Sequence, residues 1–224
     1  NMHKRALISV LIFVLLTSFG FSFSLGGGGP SVYYFPGGTF IGGLKNLNLP
    51  IVDTAAFESG IITFGGSGYG GFGNFYNGGF GFGGEKEYTV SSDKYMVTIA
   101  GGFGTGMRKL DFGNIALSTS LGIGGVDVAI AKKVNENNVG LGNLQDGTLE
   151  GYLGANISYL ALDIGADFSI SFVPMCEIKI GANAIAGYSF DGWLVNGKAM
   201  TGIDQEQYRF LLTYNLYGGI AFGF

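Results

Sequence analysis

Apolar and small or polar residues alternate along most of this chain. The longest alternation is C-terminal. Phe210, Leu212, Tyr214, Leu216, Gly218, Ile220, Phe222 and Phe224 fall on one face, and Arg209, Leu211, Thr213, Asn215, Tyr217, Gly219, Ala221 and Gly223 on the other. Successive side chains of a strand point to opposite faces, so this run reads as one strand of about 16 residues. The contrast recurs upstream. Ile178, Ile180, Ala182, Ala184, Ala186 and Tyr188 oppose Glu177, Lys179, Gly181, Asn183 and Gly187, with Ile185 out of pattern. Leu160, Leu162, Ile164, Phe168, Ile170 and Phe172 oppose Asp163, Gly165, Asp167, Ser169 and Ser171. Ile115, Leu117, Leu121 and Ile123 oppose Ala116, Ser118, Ser120, Gly122 and Gly124, and Tyr95, Val97, Ile99 and Phe103 oppose Met96, Thr98, Ala100, Gly102 and Gly104.

The non-aliphatic faces are rich in Gly, Ala, Ser and Asn rather than in the Lys, Glu and Thr of a water-facing sheet. Small residues suit the crowded interior of a narrow barrel, with the aliphatic faces then meeting lipid. Turn signals place strands near 31–36, 58–72, 76–88, 94–106, 113–131, 148–172, 177–190 and 208–224. These make an all-β chain, an antiparallel up-and-down barrel of about eight strands (ten is the other count). Short connections (Gly73 to Phe75, Met107 to Phe112, Val173 to Cys176) alternate with a set that includes long ones (Pro36 to Phe57, Lys132 to Gly147, Asp191 to Gln207). The Thr89 to Asp93 connection belongs to the second set but is short. Long loops at one end and tight turns at the other is the outer-membrane barrel pattern, with both termini at the short-turn, periplasmic end.

Two segments fit less well. Residues 148–172 exceed the 9–11 residues that cross a membrane. Their apolar face also slips phase between Leu153, Ile157, Tyr159 and Leu160, Leu162. A β-bulge explains such a slip, with the upper part projecting beyond the membrane; a turn near Ser158 is the rival explanation. Within 39–58, Phe40, Leu44 and Leu47 suggest a short helix that Gly42, Gly43 and Pro50 limit.

The start of the chain reads differently. Lys4 and Arg5 precede the apolar run Ala6 to Leu16, and Ser22-Phe23-Ser24 sets small residues before Leu25. That order predicts a cleavable signal peptide over 1–24. The apolar core is short for a spanning helix, which needs ~20 residues; an uncleaved anchor is the other reading. Residues 25–30 then form a flexible glycine-rich lead-in, and 31–224 the barrel domain.

Composition narrows the function. The 224 residues are 47% hydrophobic with 43 glycines and a net charge of −4, or −6 without Lys4 and Arg5. That is too apolar for a disordered chain and has no basic cluster for nucleic acid. The single histidine, His3, lies in the leader. Removing it excludes Ser-His-Asp and Cys-His nucleophile systems and histidine-containing zinc sites. Cys176, the only cysteine, reads as a free thiol. No cofactor or metal is expected. Gly68-Tyr69-Gly70-Gly71-Phe72-Gly73 and Gly79-Phe80-Gly81-Phe82-Gly83-Gly84 match G-x-G-x-x-G, but no helix pattern follows either. Their glycines instead let strands approach and make room for Tyr69, Phe72 and Phe80.

The leader, the alternating strands and the terminal Leu216-x-Gly218-x-Ile220-x-Phe222-x-Phe224 resemble small outer-membrane β-barrels. The resemblance covers roughly residues 31–224, as pattern rather than motif. It implies outer-membrane lipid and the barrel-assembly machinery as partners, with Leu216, Ile220, Phe222 and the final Phe224 as the assembly signal. The chain also resembles uncharacterised glycine-rich exported proteins that begin with a GGGGP-like segment, which implies no activity.

Asp163, Asp167, Glu177, Lys179 and Arg209 fall on the expected inward face of three consecutive strands. Buried charges are costly unless paired, so they predict an interior polar cluster in which Lys179 and Arg209 neutralise carboxylates. Paired carboxylates also serve glycosidases, but this pattern favours a plug. The loops 132–147 and 191–207 are candidate surfaces for a partner; Trp193 in the second suits either a partner or the membrane interface. Candidate girdle aromatics are Tyr95, Tyr188 and Phe210. The reading is a small non-enzymatic outer-membrane barrel with a packed interior and a structural or surface-interaction role. The alternatives are a soluble exported glycine-rich β-sandwich or surface-layer component in the periplasm or at the cell surface, and a small pore.

Overall fold

The computed structural model describes residues 26–37, 59–90, 93–133, 152–173, 175–195 and 197–223. Ten strands are seen there: β1 (Gly27–Phe35), β2 (Ile61–Phe72), β3 (Phe75–Val90), β4 (Asp93–Phe112), β5 (Ile115–Lys133), β6 (Tyr152–Val173), β7 (Cys176–Tyr188), β8 (Leu194–Val195), β9 (Lys198–Ala199) and β10 (Phe210–Phe222). Eight of them close an antiparallel barrel. Each of β1 to β6 pairs with the next, β7 pairs with β10, and β10 returns to β1. The leader, the Phe40–Leu47 segment, most of the 132–147 loop and Phe224 lie outside the described residues.

Following the pairing round from Gly27 gives Tyr69, Gly78, Thr105, Gly122, Asp163, Ile185 and Thr213, all on the inner face. Thr213 meets the β1 register about ten residues beyond Gly27, a stagger that tilts the strands by roughly 40°. The wall is uneven. β4, β5 and β6 have 20, 19 and 22 residues, whereas β1 has 9 and β7 and β10 have 13 each. At ~3.3 Å per residue and that tilt, β6 stands roughly 50 Å tall and β7 about 30 Å. Above β7, the sheet continues as the β8–β9 hairpin, with Leu194 and Val195 pairing with Asn156 and Ala155 of β6. The hairpin covers an edge that β6 would otherwise leave unpaired.

Tight turns join β2 to β3 and β4 to β5. Each is Gly-Asn with the glycine at positive φ, +61° at Gly73 and +76° at Gly113. Glycine at the first central position is the two-residue hairpin requirement of a II′ turn. The second turn corrects the expectation that Met107 to Phe112 connects strands. The charged run Met-Arg-Lys-Leu-Asp-Phe belongs to β4, and Lys109 takes an inward position. β1 also starts earlier than expected. Gly27 to Pro30 are not a lead-in but strand residues that close the seam, with Gly28 opposite Phe222. A Cβ at Gly28 would run into the Ser67 carbonyl, and one at Gly29 into that of Ile220.

The two sides of the wall divide bulk differently. On β5, β6, β7 and β10, Leu121, Ile123, Leu162, Ile164, Ile180, Leu212 and Leu216 point outward, over inward Ser, Gly and Asn. On β3 and β4 the arrangement reverses. Phe80, Phe82 and Phe103 point inward, and Gly79, Gly81, Gly102 and Gly104 occupy the outer positions. Tyr33, Phe80 and Phe103 stack across the lumen at 5.9 and 5.2 Å between centroids, and the small residues opposite make room for them. The aliphatic face of β4 therefore corrects the lipid-facing expectation. Tyr95, expected in an outer girdle, is 4% exposed and lies inside with Val97, Ile99 and Phe103. Phe72, expected to fill space made by glycines, points out at 86% exposure.

The phase slip in β6 needs no bulge. The β5–β6 register is continuous from Ile115↔Ile170 to Lys133↔Tyr152. What changes is which face is apolar. From Phe172 to Leu160 the apolar residues point out; above that point Tyr159, Ile157 and Ala155 point in, while Ser158 and Asn156 point out. β5 inverts at the matching height. Leu117, Leu121 and Ile123 are outward, then Val126, Val128 and Ile130 are inward opposite outward Asp127. The upper barrel holds a conventional apolar core, completed by Trp193, Tyr208 and Leu211.

Candidate functional site

The lower half of the lumen is polar, because β4 to β7 there send short or charged side chains inward. The structure places Asp163, Asp167, Glu177 and Lys179 on that inner face, all buried. Arg209 is elsewhere. It caps the 3-10 turn Gln205–Tyr208 above the barrel wall and pairs with Glu206 at 3.2 Å, three residues away. It sits one residue before β10 begins, so the parity of that strand does not carry it inward.

Lys109 occupies the place in the cluster that the sequence assigned to Arg209. Its ammonium is paired with the Glu177 carboxylate and lies 3.6 Å from Asp111 at the mouth. Ser171 donates to the same Glu177 oxygen at 3.4 Å. The Tyr217 hydroxyl donates to Asp167 at 3.0 Å. Lys179, whose register partner is Ser169, lies 5.8 Å from the Tyr69 ring centroid and within electrostatic reach of Asp167 and Glu177. Asn183 donates to Asn215 at 3.3 Å across the β7–β10 pair. A cavity of about 20 Å³ lies among Ser31, Tyr33, Tyr69, Asp167, Lys179 and Asn183. Asp163 is 0% exposed, and neither carboxylate oxygen has a hydrogen-bond partner among the described residues.

Lys109 was missed because its neighbours read as a polar turn, although Met107 and Lys109 continue the inward parity of Phe103 and Thr105. Tyr217 carried no signal beyond its place on the smaller face. Trp193 is neither a girdle residue nor an exposed binding residue. It is 1% exposed and held by Gln205, whose side chain accepts from the Trp193 amide at 2.8 Å and donates to the carbonyls of Trp193 and Met200. The Tyr159 hydroxyl donates to the Tyr208 carbonyl at 2.9 Å, fastening this loop over the lumen. Leu216, Ile220 and Phe222 lie outward on β10. Both glycine-rich matches fall within β2, its hairpin turn and β3, with no helix after either among the described residues.

No family model matches the chain, and no curated protein matches it.

Proposed function

We propose that the chain is a small outer-membrane β-barrel with a structural or surface-interaction role and no catalytic one. The inversion of the apolar face along continuous strands carries this reading. A barrel standing wholly in water hides its apolar side chains along its whole length. One standing wholly in lipid displays them throughout. Here the Phe172 to Leu160 stretch displays them, and the stretch above hides them. That lower band is roughly 30 Å tall at the strand rise and tilt, close to the hydrocarbon thickness of a bilayer. Outward Glu85 and Asp127 stand at its upper edge. Arg108 is a charged outward side chain within the band. It lies near the hairpin end, over the Phe75 ring at 5.8 Å, where a long cationic side chain reaches the interface.

In this reading the hairpin turns and the β1 and β10 ends face the periplasm. The upper barrel and the 191–207 loop face outward, where Lys198, Asp204, Glu206 and Gln207 offer a polar surface to a partner. Outer-membrane lipid and the barrel-assembly machinery are the other partners. The stacked aromatics and the upper apolar core fill the lumen, which supports a packed barrel over a pore. The absence of catalysis rests on the sequence, whose only histidine is at position 3. A closed barrel replaces the two-sheet sandwich, so a soluble barrel is the competing form.

The test is to fold the chain in detergent and run boiled and unboiled samples on an SDS gel. The expected result is a heat-dependent mobility shift together with precipitation when detergent is withdrawn. A monodisperse protein in plain buffer, with no shift, would overturn the proposal.

A further inference from the structure

All eight barrel strands contribute to the lining of one small cavity in the polar half of the lumen. The lining runs from Ser31 on β1 and Ser67 on β2 round to Asp167 on β6, Lys179 on β7 and Tyr217 on β10. The gap lies where side chains lean back over the wall. Asn183 and Ser120 lie over Gly165, and the Tyr217 ring lies over Gly181, in the room that a Cβ would take at either glycine. What remains between them is about 20 Å³, which accepts one occupant the size of a water.

The lining selects the charge of that occupant. Asp167 and Lys179 both face the cavity, and both are buried. The Lys179 ammonium opposes a metal cation, and the Asp167 carboxylate opposes an anion. A neutral molecule meets neither repulsion. The lining also sets its hydrogen bonding. One Asp167 oxygen accepts from the Tyr217 hydroxyl. The other is buried with no hydrogen-bond partner among the described residues. A carboxylate oxygen calls for a donor, whereas an ammonium calls for an acceptor. The serine hydroxyls turn to serve in either sense. The occupant that fits therefore donates and accepts at once, carries no charge and is no larger than a water.

We propose that the cavity holds one resident water, which donates to Asp167 and accepts from Lys179 or from a serine hydroxyl of the lining. Such a water satisfies the second Asp167 oxygen, which is otherwise costly to bury. It also ties β6 and β7 to β1 and β2 across the lumen, at a level where inward glycines leave the wall without side chains of its own. The site lies inside the wall, so its occupancy is independent of what surrounds the barrel.

The experiment is oxygen-17 magnetic relaxation dispersion of the folded chain, which counts waters held inside a protein against the exchanging solvent. Ser67→Val replaces a lining hydroxyl with methyl groups and fills the gap. The expected result is at least one long-lived water in the unsubstituted chain and one fewer in Ser67→Val. The unfolding midpoint of Ser67→Val should fall by about 3 °C, because Asp167 loses its donor. Ser67→Thr keeps the hydroxyl and adds a single methyl, and it should lose the same water if the valine variant does not fold. No long-lived water in the unsubstituted chain, or an equal count in the variants, would overturn the proposal. A raised midpoint in Ser67→Val would mark a dry gap that had gained packing, and would overturn it as well. So would a midpoint of the unsubstituted chain that follows the identity of the alkali cation or halide at fixed ionic strength, which would put an ion in the site.

Discussion

Lys109 and Glu177 form the best-defined charge pair in the molecule, and each is closed off from water by the wall around it. Removing one partner of such a pair leaves the other as a bare buried charge. Lys109→Met is therefore expected to lower stability by about 3 kcal/mol, measured by urea unfolding of the folded barrel. Adding Glu177→Gln should recover much of that loss. A single substitution without effect would mean that the pair is solvated. Tyr208 supplies a second residue-level test. Burial, and then the Asp204 carboxylate, push its phenol above the usual range. Unfolding frees it to ionise near pH 10, so its contribution is intact below that pH and is lost as pH rises past it. Tyr208→Phe should flatten the alkaline limb of the stability curve. An unchanged limb would assign that limb to other groups.

Strand by strand, the sequence was most readable where one face was apolar and the other small. β5, β6, β7 and β10 were placed to within a few residues. Alternation alone cannot say which face looks inward, and β4 shows why. Its Tyr95, Val97, Ile99 and Phe103 form an apolar stripe like that of β6, yet they point into the lumen and pack in the buried apolar core. The seam also escaped notice, because glycines beside a leader resemble a linker until their strand partners are known. Glycines differ in the same way. A Cβ at Gly124 would strike the Gly102 backbone, whereas one at outward Gly68 meets nothing within 4 Å. Gly124→Ala is expected to cost about 1–3 kcal/mol and Gly68→Ala close to none. Equal losses would refute the assigned faces.

The whole barrel joins two kinds of interior on one set of strands. On β5 and β6 the lower stretch is small or polar inside and apolar outside, and the upper stretch is the reverse. That inversion predicts a dependence on height for charges placed on the outer wall. Ile164→Arg, within the apolar band, is expected to cost about 2–4 kcal/mol in lipid, and Asn156→Arg, above it, close to zero. Unfolding of both variants in bilayers measures the difference. Equal costs would remove the membrane boundary from its proposed height.

The seam between β1 and β10 carries a consequence for how the molecule is made. Strands β1 to β7 can zip to their neighbours as each emerges, but the ring has a single clasp, and the piece that fastens it is synthesised last. Until β10 arrives, β1 and β7 each present a row of unmet amides and carbonyls, and such edges recruit other chains. The molecule therefore spends its early life as a sticky open ribbon. A chain lacking β10 is therefore expected to stay an open sheet with two unpaired edges and to aggregate, which light scattering of the truncated chain would measure.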